Sequence, residues 1–382
     1  MTARFGRGRL LARRAGLLGA VWAAVVAAGA CGAPATPPDT QGSGGRLGSL
    51  ASTPGDVGTA GPNASPGQLT GLRLPAGIEP GGLDGDRFVF ADRGGVAVLS
   101  LGTSNVLRLP PPPRGLAFRP AALAGNIVVG EVLGTRADPR ATEAMAYDIA
   151  GGTWVDIGAT LPTGDSSSAT ATDAVSVVGM DLGPVGGQGP GRAYVYDIPS
   201  GTVTFLPSLP DGAVPVPAGV EGGHIVGFVG SAEKGGGWVW DQAAASYTSL
   251  SAAAGSDRAS ALAVAGDTVV GVLNGSAPTA DAAFAYDIPS KAFTDLKLPG
   301  SRALGVNGRL VLVAAEAGWN GWLLDLDTGA QAAFDKVLVD GVATSVRPWA
   351  MGGGWVIALT PAPTGSGAGF GEVVAIPVAG QP

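Results

Sequence analysis

The stretch AFAYDIPSKAFTDLKLP at residues 283–299 has the pattern of a β-hairpin. Small and aromatic residues alternate over 283–286, as expected for a pleated strand with two different faces. Residues 287–290, Asp-Ile-Pro-Ser, provide turn chemistry, because proline fixes φ and the Asp and Ser side chains can bond the local backbone. A second strand is predicted over 293–298, and Pro299 ends it.

The same hairpin recurs along the chain. The clear copies are AMAYDIAGGTWVDIG (144–158), AYVYDIPSGTVTFLP (193–207), GWVWDQAAASYTSLS (237–251) and GWLLDLDTGAQAAFDKV (321–337), and the weaker ones are GVAVLSLGTSNVLRLP (95–110) and GEVVAIPVAG (371–380). The aligned positions are Ser100, Asp148, Asp197, Asp241, Asp287, Asp325 and Ala375, with spacings of 48, 49, 44, 46, 38 and 50 residues. A strand-only repeat of this length predicts the blades of a β-propeller.

Counting strands predicts the number of blades and how the ring closes. Each hairpin follows a strand that usually ends near Val-Val-Gly, at 86–92, 126–132, 174–180, 224–230, 267–273, 309–315 and 355–360. A further strand precedes each of these, which gives seven four-stranded blades rather than six or eight. The last blade lacks a fourth strand, and LTGLRLP (69–75) resembles the outer strand of 293–299. We therefore expect an all-β, seven-bladed propeller over 69–382, closed by its N-terminal strand.

Residues 1–30 have the pattern of an export signal. Five arginines lie in its first half, and the apolar run of 17–28 is too short to span a membrane comfortably. Small residues at 28–30, Ala-Gly-Ala, form a cleavage site. The pair Arg13-Arg14 loosely matches a twin-arginine signal, so the general and the twin-arginine export routes both stay open.

Cys31 directly follows the cleavage site and is the single cysteine of the chain. Here the segment resembles bacterial lipoprotein signal peptides, and this resemblance implies lipid attachment at Cys31 on the outer face of the cell membrane. The alternative is ordinary secretion with a free thiol. Residues 31–68 are rich in Gly, Pro, Ser, Thr and Ala, which predicts a disordered tether. Its root-mean-square reach is about 35 Å, at roughly 5–6 Å times the square root of the residue count.

The charge balance argues against two classes of partner. Removing the five arginines of residues 1–30 leaves 18 basic against 30 acidic side chains, a net charge of −12. An acidic domain is a poor nucleic-acid binder and is not drawn to anionic lipid by charge. We expect a monomer that contacts the membrane only through the N-terminal lipid, and whose partner is a protein or a glycan at the cell surface.

The repeat unit resembles known propeller repeats. Val-Val-Gly, a variable loop, and Ala-Phe-x-Tyr-Asp-x-x-Ser resemble bacterial extracellular HAF-type repeats and, more loosely, kelch-like repeats. The histidine of the HAF signature is absent, and Ala193, Gly237 and Ala283 occupy comparable places. The sequence at 325–329 is also similar to quinoprotein repeats, without their aromatic end. These families imply an exported β-propeller, and a fold does not determine an activity.

The side chains that could carry chemistry are few. The repeated aspartates are interpreted as caps of their own hairpin turns, because one residue per blade at the same place is typical of architecture. His224 is the only histidine, so no copper or zinc centre and no other cofactor is predicted. Trp154, Trp238, Trp240 and Trp322 lie within predicted strands, which favours core packing.

The candidate binding site is placed on loops. In a four-stranded meander, the connections between second and third strands share one end of the ring with the blade-to-blade connections, and loops carry function more often than strands. On that end we predict ligand-binding roles for Arg136, Arg140, Lys234 and Trp319, with Trp319 exposed. The sequence thus favours a non-catalytic binding module. The alternative is a carboxylate-based glycan hydrolase or lyase at the channel mouth, because carboxylate pairing is spatial.

Overall fold

The described part of the protein is almost entirely β. A computed structural model describes residues 69–113, 117–134, 141–162, 166–183, 191–230, 236–255, 258–275, 281–362 and 371–378. A short helix, α1, occupies Leu250–Ala254, and a 3-10 turn occupies Gly158–Thr160. Within the described ranges, no helix has the length and apolar character that a bilayer crossing requires.

Six of the sheets are four-stranded, antiparallel and built from strands consecutive in sequence. Blades 1 to 3 comprise β2 (Glu79–Asp84), β3 (Arg87–Asp92), β4 (Gly95–Ser100), β5 (Asn105–Arg108), β6 (Ala117–Ala124), β7 (Ile127–Leu133), β8 (Thr142–Asp148), β9 (Thr153–Asp156), β10 (Ser167–Thr172), β11 (Ser176–Asp181), β12 (Arg192–Asp197) and β13 (Thr202–Phe205). Blades 4 to 6 comprise β14 (Pro215–Glu221), β15 (His224–Val229), β16 (Gly237–Asp241), β17 (Ser246–Ser249), β18 (Ala259–Ala265), β19 (Thr268–Leu273), β20 (Ala282–Asp287), β21 (Ala292–Pro299), β22 (Ser301–Asn307), β23 (Leu310–Ala315), β24 (Gly321–Asp325) and β25 (Gln331–Ala333). The first strand of each blade is its inner strand.

The seventh sheet closes the ring as the sequence predicts. Its blade strands are β28 (Arg347–Gly352), β29 (Trp355–Leu359), β30 (Val373–Pro377) and the N-terminal β1 (Thr70–Arg73). β1 is antiparallel to β30, with Leu72 opposite Ala375. The predicted seven-bladed, N-terminally closed propeller is therefore confirmed. Pro377, and not Ala375, is the residue equivalent to the repeated aspartates, because it pairs with the first residue of the second strand, Trp355.

Two strands of this sheet were not predicted. β26 (Val337–Val339) and β27 (Val342–Thr344) form a hairpin outside β1, and β26 runs parallel to it with Thr70 opposite Leu338. Asp340 and Gly341 form its turn with φ values of 50° and 80°, the left-handed pair that a two-residue hairpin turn requires. β1 is consequently hydrogen-bonded on both sides.

Side chains from neighbouring blades form the core. The ring of Phe284 stacks on Phe293 with centroids 4.8 Å apart, and Tyr286 joins the same cluster between blades 4 and 5. Trp238 and Trp240 are buried between blades 3 and 4. Trp154 and Trp322 pack against the clusters of blades 1 and 2 and of blades 5 and 6. The predicted packing role of these four indoles is confirmed.

A β-bulge occurs in every inner strand, and in blades 2 to 5 the residue opposite it is the glycine of Val-Val-Gly or its equivalent. The register between inner and second strands shifts at the same level in all seven blades. At Gly227, the residue opposite the bulge in blade 4, an added Cβ would lie 2.0 Å from the carbonyl oxygen of Val216. It would also lie 2.6 Å from the ring of Trp238, which covers the glycine from the third strand. Glycine leaves room for both groups.

Ring closure depends on two leucines that flank β1. Leu69 and Leu74 are each 4% exposed, whereas Leu72 is 46% exposed. We predict that Leu74→Ala lowers the free energy of unfolding by about 2–5 kcal/mol, the usual cost of truncating a buried leucine. Leu72→Ala is the matched control and should change it by less than about 0.5 kcal/mol. Denaturant unfolding measures both, and equal effects would contradict this account of closure.

The bulge gives a second prediction. Gly227→Ala should destabilise the protein by about 1–3 kcal/mol or more, because the methyl group meets a backbone carbonyl that cannot move without breaking the sheet. Gly102→Ala is the control, since its Cβ would meet nothing closer than an Asp86 carboxylate oxygen at 3.4 Å. Thermal melting compares the two variants. An unchanged midpoint for Gly227→Ala would show that the inner strands do not need this close approach.

Candidate functional site

The two ends of the ring differ in their connections. The first and second strands of a blade, and its third and fourth strands, are joined at one end, which we name the turn face. The second and third strands, and consecutive blades, are joined at the other end, which we name the loop face. This division follows from antiparallel order alone, because the chain reverses direction at each strand.

The predicted site residues fall into two groups. Arg136, Arg140, Lys234 and the lipid-attachment residue Cys31 lie outside the described residues. Trp319 lies on the loop face, in the connection between β23 and β24. It is partly buried rather than freely exposed, because its ring packs against a hydrophobic cluster of blades 7 and 1. Its role in binding stays a prediction.

The repeated aspartates cap turns on the turn face, as predicted. The Oδ1 atom of Asp241 accepts from the backbone N–H groups of Ala243 and Ala244 at 2.9 and 3.0 Å. Asp287 accepts from the backbone and hydroxyl of Ser290, and these hydrogen bonds hold the pKa of Asp287 below its ordinary value. Asp148, Asp197 and Asp325 make equivalent backbone bonds. These carboxylates therefore stabilise the hairpin turns by accepting backbone hydrogen bonds.

A cavity of about 560 Å³ lies on the propeller axis at the turn face. Turn residues of the inner strands line it, with Asp84, Asp173 and Glu221 as its acidic groups. Asp84 accepts from the backbone N–H of Gly125 at 2.8 Å, and Asp173 accepts from that of Ser176 at 2.7 Å. Two of the three acids are therefore parts of turns. The walls are otherwise small and apolar, with few groups that could orient a ligand.

His224 and the buried acids also have structural surroundings. His224 is the first residue of β15, opposite Glu221 and Asp241 on the turn face. The buried carboxylates lie in different blades and are engaged: Glu131 by Arg119, Asp181 by Arg192, Asp281 by the Gly275 backbone and Asp325 by Arg309. Among the described residues, no group of three or more His, Cys, Asp or Glu side chains is placed to hold a metal ion.

A different set of side chains meets on the loop face between blades 6 and 7. Arg302 in β22 and Arg347 in β28 both lie one residue before the bulge of their inner strand, so they stand at the same level in neighbouring blades. The loop that carries Trp319 lies beside Arg302, since Glu316 of that loop is ion-paired with it. We name this site the 6–7 rim, and its members are Arg302, Glu316, Trp319, Asn320, Arg347 and Trp349.

The rim has polar groups whose bonding capacity is not used within the described part of the chain. Nε of Arg302 and Oδ1 of Asn320 are buried there without a hydrogen-bond partner. Arg347 is partly buried and makes no hydrogen bond or ion pair with the described residues. Burial lowers the pKa of both arginines, and the charge of Arg347 lowers that of Arg302 further, against a smaller opposing effect of Asp281. Buried polar groups in proteins are normally satisfied, so this cluster is unusual.

Two indoles belong to the same loop and the same strand as these groups. Trp349 lies on β28, two residues after Arg347, and Trp319 reaches the same blade 7 and blade 1 cluster from the blade 6 loop. Both are partly buried. The rim therefore has two guanidinium groups and an amide oxygen at the junction of blades 6 and 7, and two aromatic rings that pack towards the next junction, between blades 7 and 1. This composition suits recognition of a ligand that has a charged group, hydroxyl groups and an apolar face.

Sequence reasoning found Trp319 and missed both arginines. They are 45 positions apart in the sequence and stand in strands with no shared motif. Aligning the inner strands by their bulges would have placed them at one level, but the bulges are visible only in the strand pairing.

Comparison with known proteins supports the fold alone. No protein-family model matches this sequence, and no curated protein matches it. The β-propeller domain of the Trilobed protease from Pyrococcus furiosus has a TM-score of 0.53 at 10% identity, covering 78% of this chain and 95% of that one. A prolyl endopeptidase gives 0.52 at 10% identity, covering 79% and 50%. The Cps50 (Swd1) propeller from Myceliophteria thermophila gives 0.50 at 12% identity, covering 81% and 99%.

Proposed function

We propose that this protein is an exported, lipid-anchored β-propeller that binds a surface partner non-catalytically through its loop face. The observation that carries the proposal is the 6–7 rim, where Arg302 Nε and Asn320 Oδ1 are buried without a hydrogen-bond partner among the described residues and two partly buried indoles lie in the same segments. A ligand can gain binding energy at this rim, because its polar groups can form the hydrogen bonds that the buried side chains do not form within the described part of the protein.

The path of the chain supports this orientation. β1 is antiparallel to β30, and the backbone N–H of Leu74 donates to the carbonyl of Val373, at the loop-face start of β30. β1 therefore begins on the turn face, and the segment before Leu69 joins the ring there. A tether attached to the turn face leaves the loop face at the far end from the membrane, where a surface partner can reach it.

The described carboxylates favour binding over the alternative of a carboxylate-based hydrolase or lyase. Such enzymes use two acidic groups on either side of one scissile bond. The buried acids here belong to separate blades, and each is held by a cation or a backbone N–H. The rim instead contributes cations, an amide and indoles, which bind and orient a ligand.

The lipid anchor is tested by Cys31→Ala. We expect this variant to move from the membrane fraction to the soluble fraction, because the acyl chains are the predicted source of membrane affinity. Immunoblotting of both fractions measures the partition, and the mobility of the band reports whether the signal is cleaved. A cleaved Cys31→Ala protein that remains in the membrane fraction would contradict the anchor.

The binding face is tested by co-sedimentation of the full Cys31→Ala chain with washed cell envelopes. Trp319→Ala should reduce the bound fraction several-fold, whereas Glu221→Ala, an exposed change on the turn face, should leave it unchanged. Melting curves of both variants establish that they are folded. Equal loss in the two variants would overturn the loop-face assignment, and release of soluble envelope fragments by the unsubstituted chain would support the enzyme.

A further inference from the structure

We propose that the 6–7 rim binds the carboxylate-bearing sugar of an acidic glycan. This inference rests on the proposed function and names the ligand class of its site. It is carried by the positions of Arg302, Arg347 and Asn320, by the bonds that these side chains leave unused, and by the indoles beside them.

The charged side chains of the rim favour an anionic ligand. Arg302 is 21% exposed and Glu316 is 12% exposed, so this ion pair is poorly solvated. Arg347 adds a second guanidinium at the same level, and its repulsion outweighs the attraction of Asp281 at Arg302. Guanidinium groups stay charged at physiological pH. Glu316 already pairs with Arg302, so an anion between the two strands would supply the counter-charge that Arg347 lacks and replace lost solvation, although the protein as a whole carries a net charge of −7.

The second step concerns the shape of that anion. Arginine presents its N–H groups in a planar fork that matches the two oxygens of a carboxylate. Arg347 has its whole fork available among the described residues, and Arg302 has its Nε–H. A carboxylate is flat and singly charged, so it can accept from both side chains without the large desolvation cost of a phosphate dianion. The two arginines thus favour a carboxylate.

The third step concerns the rest of the ligand. Oδ1 of Asn320 is an acceptor and needs a donor, which an ionised carboxylate cannot supply. A hydroxyl group on the same molecule can. The partly buried indoles of Trp319 and Trp349, which pack on the blade 1 side of the rim, add apolar surface to it, and a sugar ring offers a matching apolar face. A uronic acid residue combines the carboxylate, the hydroxyl groups and this ring in one compact unit.

The test is isothermal titration calorimetry on the full chain in mild detergent. The probes are tetramers of β-1,4-linked glucuronic acid and of α-1,4-linked galacturonic acid, each compared with its neutral parent, which has a hydroxymethyl group in place of the carboxylate. We expect at least one acid to bind at least about tenfold more tightly than its parent, the scale of a charge-assisted hydrogen bond of about 1.5–3 kcal/mol.

Variants locate the site. Arg347→Gln should weaken binding of the acid about tenfold and leave the weak binding of the neutral parent unchanged, because the side chain makes no hydrogen bond or ion pair with the described residues and glutamine keeps part of its packing. Arg93→Gln is the matched control, since Arg93 is an exposed arginine on the loop face at the β3–β4 turn. Arg302→Gln should act like Arg347→Gln, with melting curves to check for destabilisation by the freed Glu316.

Three outcomes would overturn this ligand class: no preference of either acid over its neutral parent, equal weakening by Arg93→Gln and Arg347→Gln, or tighter binding of a tetraglutamate peptide than of both acids. These outcomes are separable from failure of the proposed function. If envelope binding is lost in Trp319→Ala but unchanged in Arg347→Gln, the loop-face function stands and the acidic glycan is excluded. If the acids bind at the rim but envelope binding is unchanged in both Trp319→Ala and Arg347→Gln, the acidic-glycan ligand class stands and the loop-face function is excluded.

Discussion

The pairing of β1 with β30 is the constraint on which the rest of this structure depends. A ring of sheets has no free ends only when its first and last elements meet, and here two strands from opposite ends of the domain share one sheet. The pairing also fixes where the preceding segment joins the ring. The hairpin β26–β27 covers the outer side of β1, so the closing strand has hydrogen-bond partners on both sides.

Most of this architecture could be predicted because it depends on short-range interactions that recur from blade to blade. In five blades the aspartate of the hairpin bonds its own turn, so the number of residues between successive aspartates gives the length of one blade repeat. In four blades the second-strand residue opposite the bulge is a glycine, and at Gly227 a Cβ would meet a backbone carbonyl and a tryptophan ring. The hairpin at 337–344 escaped prediction because its strands have three residues each and fall between two repeats. Its Asp340-Gly341 turn was the available signal.

The rim could not be predicted in the same way, because its residues do not repeat. Trp319 was identified as unusual from its place in a loop. Arg302 and Arg347 each resemble an ordinary strand charge in the sequence, and only the register of two inner strands brings them to one level. Side chains that come together from neighbouring blades are a full repeat apart in the sequence. No local sequence pattern therefore indicates that they are close in the structure.

Repeated positions serve the fold, and unrepeated positions at the same level are free to serve function. The blades of one chain can be compared with each other. Where the fold requires a particular residue at a position, most blades have that residue there. The turn aspartate does so in five blades. The residue before the bulge does not, since the seven inner strands carry Glu79, Arg119, Ser168, Val216, Ser260, Arg302 and Arg347 there. The fold therefore leaves this level of the loop face free to vary. Two arginines meet at such a level, and Glu316 is ion-paired with Arg302 while Arg347 has no ion pair among the described residues, which is the basis of the anion site that we propose.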